Sequence, residues 1–267
     1  MNDAIVHLEI DPLGIATLTL NRPDVHNAFD DALIARLTEQ LRALDAKPDV
    51  RVVVLAAAGK SFSAGADLNW MKRVSQYSEA ENMRDALALA GMMRTLNSLS
   101  KPTIARVQGA AFGGGVGLVA CCDIALASAS AVFSLSEVKL GMIPSVISPY
   151  VIAAMGSRNA RRYFMTGERF DAQEALRIGL VHDVTDAADL DAAVAKITGE
   201  LLKAGPLAVA AAKDLIAHVE RQAIDQALSE ETAKRIARIR VSPEGQEGIA
   251  AFLDKRAPSW TGGAPKA

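Results

Sequence analysis

Three consecutive glycines at 113–115 separate two apolar runs, and this arrangement restricts the fold more than any other feature of the 267-residue chain. The segment reads GAAFGGGVGLVACCD from Gly109 to Asp123, strand-like before the glycines and helix-like after them. The first amides of a helix have no acceptor within it and lie at the positive end of its dipole. Since glycine lets a ligand approach the backbone closely, the segment predicts a strand-to-helix turn that can hold an anion or a polarised carbonyl oxygen. The same glycines also suit a connection that is tight only for packing.

A second turn of the same construction follows the β-branched run RVVVLAAA, from Arg51 to Ala58. That run is bounded by Gly59 and predicts a buried strand. It leads into KSFSAGADL (60–68), where small residues form the turn and Asp67 stands near the start of a helix, a favourable place for a carboxylate. If adjacent strands place the two turns side by side, each can direct one backbone N–H at a single oxygen atom, which is the geometry of an oxyanion hole.

Four separated blocks resemble the crotonase family of enoyl-CoA hydratases and isomerases in their order and spacing. They are SFSAGADL, GAAFGGGVGLVACCDIALAS, FSLSEVKLGMIP and FDAQEALRIGLVHDV, and the similarity runs from NRPDVHNAF at Asn21 to FLDKRAPSW at Phe252. The resemblance implies an α/β fold with a spiral core of ββα units and an all-helical C-terminal region that forms trimers. It also implies an acyl-CoA thioester substrate of which CoA is a part, with no separate cofactor and no metal.

The resemblance places the chemistry on three residues. The two N–H groups that hold the thioester carbonyl are assigned to Ala66 and Gly114, and each such donor is worth about 2.7–4 kcal/mol in the transition state. The acid–base carboxylate is assigned to Glu137. We expect apolar neighbours to desolvate this carboxyl group and raise its pKa toward the range useful for a general acid or base. Those neighbours are Phe133, Leu135, Val138, Leu140 and Met142.

One position departs from the family pattern. Hydratases of the family usually carry a further glutamate three residues beyond the middle glycine, and Gly117 stands there instead. We expect the missing side chain to leave free volume near the β-carbon of the acyl group, which would suit a branched substrate. The segment PSVISPYV also lacks the glycine-rich continuation of ordinary short-chain hydratases. With RRYFMTGERFDA, it is similar to the 3-methylglutaconyl-CoA and isohexenylglutaconyl-CoA hydratases of leucine and acyclic terpene breakdown.

The resemblance further implies a CoA-binding surface on two loops and the tail. Its predicted residues are Val25, Ala28, Ala64, Asp67 and Leu68, with Gly117 at the acyl group and Lys255 for the CoA phosphates. Arg22 is a further candidate for a phosphate. The alternative for either cation is a solvated surface charge, which is the ordinary position of such side chains.

Three functions stay open at this point. The first is a hydratase that adds water across the 2,3 double bond of a branched enoyl-CoA of the 3-methylglutaconyl-CoA type. The second is a Δ3–Δ2 enoyl-CoA isomerase that uses Glu137 alone, and the third is a non-catalytic acyl-CoA- or RNA-binding relative. Glu137 disfavours the third, because a binding module needs no acid directed at the α-carbon of a substrate. The two enzymes share the same hole and the same acid, so the sequence does not separate them.

The chain divides into two predicted regions. Strand-like and helical runs alternate over residues 1–187, which predicts an α/β catalytic core, and residues 188–267 are helical throughout. The predicted strands are Ala16–Leu20, Arg51–Ala57, Thr103–Val107, Ile124–Ala127 and Val132–Phe133. In the resembled family the helical region closes over CoA and joins subunits into a trimer or a dimer of trimers. The apolar stripe Ile249, Phe252 and Leu253 fits that role, although a helix folded onto its own core would have the same pattern.

Composition limits the partners and the compartment. The net charge is −2, and without a basic run or interleaved aromatic and basic residues no nucleic-acid partner is expected. No apolar run approaches the ~20 residues of a membrane span, and none resembles a secretory signal. The adjacent Cys121 and Cys122 are poorly placed for a disulfide and lack metal-ligand spacing, so we expect buried thiols in a reducing, cytoplasmic setting.

Overall fold

The computed structural model describes residues 4–220 and 222–261. Residues 1–3, 221 and 262–267, which the two predicted regions include, lie outside this description. The described strands are β1 Val6–Ile10, β2 Ile15–Leu20, β3 Val52–Ala57, β4 Ser61–Ser63, β5 Thr103–Val107, β6 Ala110–Phe112, β7 Ile124–Ser128, β8 Val132–Ser134, β9 Arg169–Asp171 and β10 Asp183–Thr185. The described helices are α1 Asp31–Asp45, α2 Leu68–Val74, α3 Glu79–Asn97, α4 Gly114–Cys121, α5 Ser148–Thr166, α6 Ala172–Arg177, α7 Leu190–Lys203, α8 Pro206–Val219, α9 Gln226–Val241 and α10 Pro243–Leu253.

Two sheets form the core. The larger has the order β1-β2-β3-β5-β7-β10, with an antiparallel hairpin at β1 and β2 and parallel pairing in the rest. The smaller has the order β4-β6-β8-β9, in which β9 alone is antiparallel. All five predicted strands form, and β5 has the predicted bounds.

The chain steps from the large sheet to the small one three times, through β3–β4, β5–β6 and β7–β8. Each step continues into a helix or a 3-10 turn, which makes the repeated unit ββα. Because β3 pairs with β5 and β4 pairs with β6, successive units are neighbours in both sheets. The predicted α/β fold with a spiral core of ββα units is confirmed, and the turns after β4 and β6 stand side by side.

Strand β3 is buried at every position because both faces of the large sheet are covered. Val53 and Leu55 point into the main core, which α1 and α3 also fill. The alternate residues Val52 and Val54 pack in a second cluster that includes Leu190 of α7. Helix α7 therefore covers the outer face of the sheet, although the predicted division at 187 assigns it to the helical tail.

The helices after α7 bury little of their surface within one chain. Neither α8 nor α9 has a buried residue. On α10 the predicted stripe is exposed, and Phe252 reaches 84% exposure. Of the two explanations left open for this stripe, packing onto the core of the same chain is excluded.

The two cysteines are buried, unpaired thiols at the end of α4. Burial raises the pKa of both, in the case of Cys122 to about 12. This matches the expectation of small apolar core residues.

Candidate active site

The glycines before and at the start of α4 are required by close contacts on different sides. Gly113 has a φ of 50°, which favours glycine, and a Cβ placed on it would lie 3.0 Å from Oε1 of Glu137. A Cβ on Gly114 would lie 3.0 Å from the ring of Phe29. The backbone at the start of α4 is thus bordered by a carboxyl group on one side and an aromatic ring on the other.

The two predicted turns touch each other directly. A Cβ on Gly65 would lie 3.1 Å from the carbonyl oxygen of Phe112, and one on Gly115 would lie 2.7 Å from that of Ser63. Gly65 also has a φ of 86°, a conformation open to glycine at little cost. The expectation that adjacent strands bring these turns together is therefore correct.

The backbone around Ala66 leaves its N–H group directed outward. Phe29 N–H donates to the carbonyl of Gly65 at 2.7 Å, and Asp67 N–H donates to the carbonyl of Phe29 at 2.8 Å. Since these bonds use the groups on either side of Ala66, its own N–H faces the opposite direction. Among the described residues neither this N–H nor that of Gly114, the first residue of α4, has an acceptor. Two free amides on neighbouring turns can together donate hydrogen bonds to one oxyanion.

Glu137 lies on a 3-10 turn that directly follows β8. Its Oε1 borders Gly113, and its Oε2 is buried without a hydrogen-bond partner among the described residues. Burial raises the pKa of the carboxyl group, and a hydrogen bond from the backbone of the same residue opposes this in part. A carboxyl group with a raised pKa, next to a free amide, is suited to move a proton at the carbon beside a polarised carbonyl.

The surroundings of Glu137 differ in part from the prediction. Phe133 and Leu135 are buried as expected, but Leu140 and Met142 are exposed. The 3-10 turn lies at the surface and ends at Gly141, whose φ of 71° redirects the chain and carries the side chains around it outward. Desolvation of the carboxyl therefore comes from the core side of the turn.

The expectation of free volume beside Gly117 is wrong. A Cβ on Gly117 would lie 2.2 Å from Cγ2 of Ile147 and 3.1 Å from Cε of Met93. Ile147 belongs to the PSVISPYV segment and is 3% exposed. Its branched side chain fills the notch that the glycine leaves, so the missing glutamate is replaced by hydrocarbon and not by space.

The residues predicted to bind CoA lie on two segments that pack together. The loop at 22–30 meets the turn at 60–68, where Ala64 N–H donates to the carbonyl of His26 at 2.9 Å. Of the predicted residues, Val25 and Leu68 are exposed, Ala64 is partly exposed and Ala28 is buried.

Lys255, the last residue of the predicted set, lies elsewhere, after α10. It is exposed, and its side chain forms no ion pair with another described residue.

Arg22 and Asp67 hold the two loops to each other. Arg22 pairs with Asp30 at 2.8 Å and with Asp67 at 3.4 Å, and it donates to the carbonyl of Ala28 at 2.8 Å. Asp67 is also the N-cap of α2, where its carboxylate accepts from the first amides of that helix. Two carboxylates thus balance the charge of Arg22, which disfavours it as a phosphate ligand, and Asp67 fixes the turn that carries Ala66.

Asn27 organises the same region and was missed by the sequence analysis. It is fully buried with a φ of 54°, and its amide nitrogen donates to the carbonyls of Ala58 and Ser61, both at 2.8 Å. Its amide oxygen accepts from the backbone N–H of Arg22 at 2.8 Å. Asparagine tolerates positive φ better than most residues, and this was the available signal within NRPDVHNAF.

The described residues lack two features, a helix suited to cross a membrane and a cluster of metal-ligating side chains. Across residues 4–220 and 222–261 no helix combines the length and apolar character that a bilayer crossing requires. In the same residues no three His, Cys, Asp or Glu side chains converge as they would around a metal ion.

Comparison with known proteins gives consistent matches over nearly the whole chain. The family model for enoyl-CoA hydratase/isomerase matches residues 11–263. The crystal structure of an enoyl-CoA hydratase from Shewanella pealeana is 48% identical, with a TM-score of 0.94 over 97% of each chain. The crotonyl-CoA hydratase of Syntrophomonas wolfei is 34% identical over 91% of this chain and 92% of its own. The 2,3-dehydroadipyl-CoA hydratase of Escherichia coli is 32% identical over 93% of this chain and 95% of its own. Agreement of sequence and fold over the same span establishes that the chain belongs to the enoyl-CoA hydratase/isomerase family, the crotonases.

Proposed function

We propose that the enzyme is a hydratase that adds water reversibly across the 2,3 double bond of a branched enoyl-CoA of the 3-methylglutaconyl-CoA type. The observation that carries the proposal is the position of the Glu137 carboxyl, beside Gly113 and next to the free N–H of Gly114. In this proposal Ala66 and Gly114 hold the thioester carbonyl, and Glu137 moves the proton.

The addition needs one carboxyl group that acts twice. As the oxygen of water bonds to C3, ionised Glu137 takes a proton from that water, and the π electrons move through C2 to the carbonyl oxygen. The resulting enolate is stabilised by the two backbone N–H groups. Glu137 then returns its proton to C2, the carbonyl re-forms, and the carboxylate is regenerated. Burial of Glu137 raises its pKa, which brings its two protonation states closer in energy and favours this double role.

Two observations support a substrate with its own second carboxylate. Ile147 and Met93 occupy the space beside Gly117, so a protein carboxylate does not project there to orient the water. A carboxylate on the substrate supplies that group. The Escherichia coli relative is named for the CoA ester of a dicarboxylic acid, dehydroadipate.

A second candidate is a Δ3–Δ2 enoyl-CoA isomerase, and the same hydrocarbon wall favours it. Isomerisation needs no water: Glu137 removes a proton from C2 of a 3-enoyl-CoA and returns it to C4 through the same enolate. A site with one carboxyl group and an apolar surface one helical turn away suits this transfer.

The CoA contacts and the assembly belong to the same proposal. We place the CoA moiety on the surface formed by Val25, Ala64 and Leu68, above the buried Ala28. The exposed apolar side chains of α8–α10, with Phe252 the most exposed, support assembly into a trimer or a dimer of trimers, because isolated chains rarely leave so much apolar surface in water. In such an assembly Lys255 of one chain reaches a CoA held by another.

Mass spectrometry of the products separates the two reactions. Purified enzyme is incubated in parallel with 3-methylglutaconyl-CoA, a 3-enoyl-CoA and a straight-chain 2-enoyl-CoA. Gain of one water by the branched ester, with little gain by the straight-chain ester, supports the hydratase. An unchanged branched ester, together with a shifted double bond in the 3-enoyl-CoA, replaces the hydratase by the isomerase.

A further inference from the structure

The Ile147 side chain lies one helical turn along α4 from the Glu137 carboxyl, and we call it the acyl wall. Gly117 N–H donates to the carbonyl of Gly113 at 3.2 Å, so these glycines are successive turns of the same backbone. The Glu137 carboxyl borders the first glycine and the Ile147 side chain borders the second. The carboxyl and the isoleucine are thus separated by about one helical pitch, roughly 5.4 Å along α4.

The geometry points to Ile147 as the residue that limits the size of the acyl group, an inference that rests on the proposed function. The loops that we assign to CoA lie on the side of the two amides where Phe29 contacts Gly114. An acyl group whose carbonyl binds Gly114 and whose α-carbon faces Glu137 then extends away from those loops, along α4. We place Ile147 at the end of that path, because its side chain borders Gly117, one turn along α4 from the Glu137 carboxyl.

This wall is stiff on one side and adaptable on the other. Ile147 is the N-cap of α5, and its carbonyl accepts from the N–H of Val151 at 3.1 Å, which fixes its backbone. A β-branched side chain has few rotamers, so a buried Ile147 has little freedom to move aside. Met93, which also faces Gly117, is flexible enough to repack around a change in its neighbour.

Shortening Ile147 therefore enlarges the acyl end of the site specifically. Ile147→Ala removes three carbons from the wall, and Ile147→Val removes one while it keeps the branch. Ile34 on α1 has the same side chain and the same 3% exposure and belongs to the same main core, but it is not among the side chains nearest Gly117, so Ile34→Ala is a matched control for the general loss of packing.

The test measures affinity for saturated acyl-CoA esters of four to ten carbons by competition with substrate, in the wild type and all three variants. We expect the affinity for the eight-carbon ester relative to the four-carbon ester to rise about tenfold or more in Ile147→Ala. This magnitude follows because one methylene group in a hydrophobic pocket is worth about tenfold or more. A smaller rise is expected in Ile147→Val, which removes one carbon, and none in Ile34→Ala. Ile147→Val keeps the test valid if the alanine variant fails to fold.

The outcomes distinguish this inference from the proposed function. An unchanged ratio in Ile147→Val and Ile147→Ala, with normal binding by the wild type, overturns the role of Ile147 alone. An equal rise in Ile34→Ala does the same, because the effect would then be general loosening. Absence of acyl-CoA binding by the wild type overturns the proposed function, and this inference with it.

Discussion

Gly115→Ala is expected to damage both the stability and the activity of the enzyme through a single contact. Gly115 lies in the first turn of α4, and an added Cβ would be 2.7 Å from the carbonyl oxygen of Ser63 and 3.0 Å from its Cβ. The clash is with backbone, which has no rotamer to change. Strand β4 and helix α4 must then separate. Because β4 leads into the turn that carries Ala66 and α4 begins at Gly114, this separation moves the two proposed oxyanion donors apart.

The change in the free energy of unfolding caused by Gly115→Ala is the difference between an overpacking cost and a gain in helix propensity. Overpacking of this kind costs about 1–3 kcal/mol, and alanine in a helix recovers about 1 kcal/mol relative to glycine. A net loss of up to about 2 kcal/mol lowers the melting temperature by several degrees in a chain of this size. Removing one donor of an oxyanion hole costs about 10²–10³-fold in kcat, so a displaced donor is expected to cost about tenfold.

Gly91→Ala is the matched control. Gly91 lies within α3, and outside the backbone of its own helix an added Cβ would have no described heavy atom within 4 Å. Calorimetry should show equal or greater stability, by up to about 1 kcal/mol, and kcat should not change. If Gly115→Ala melts and turns over like the wild type, the close approach of β4 and α4 is not what requires this glycine. Equal losses in both variants would refute the reasoning as well.

Three other substitutions test separate parts of the site. Glu137→Gln should lower kcat about 10²–10⁴-fold and still bind acyl-CoA. Because burial raises the pKa of Glu137, the folded state favours the protonated carboxyl. The free energy of unfolding should therefore fall as the pH rises from the ordinary carboxyl range through the raised pKa. Urea unfolding between about pH 4 and pH 8 should show that decline in the wild type and lack it in the glutamine variant, and parallel curves would contradict the burial of the charge. Gly117→Ala should lower the unfolding midpoint and Gly117→Ala/Ile147→Ala should recover part of the loss, whereas additive losses would mean that the two sites do not touch. Asn27→Ala should cost about 1–3 kcal/mol in chemical denaturation, because it leaves the buried carbonyl of Ser61 without this donor, and an unchanged midpoint would rule out that bond as a stabilising one.

The sequence predicted those parts of the fold and site that depend on neighbouring residues. The β-branched run of β3, the glycines before α4 and the N-cap Asp67 are local signals, and each structure formed as expected. The two turns came together because parallel pairing of β4 with β6 follows from repetition of one unit.

The missed parts depend on contacts between distant segments. The notch at Gly117 is filled by a side chain thirty positions further along the chain, and no local pattern near either residue reveals which of them supplies the volume. Arg22 has a surface-like sequence context, yet its partners Asp30 and Asp67 come from two different segments. Such contacts are consequences of packing, which a single sequence does not encode in its periodicity.

The central claim is that Glu137 alone moves the proton at the α-carbon of a thioester held by two backbone amides. Butyryl-CoA tests it directly, because this saturated ester has no double bond to hydrate or shift and still has acidified protons at C2. Incubated in heavy water, wild-type enzyme should place deuterium at C2, as read by mass spectrometry, and Glu137→Gln should place essentially none. Exchange by Glu137→Gln at the wild-type rate would contradict the account.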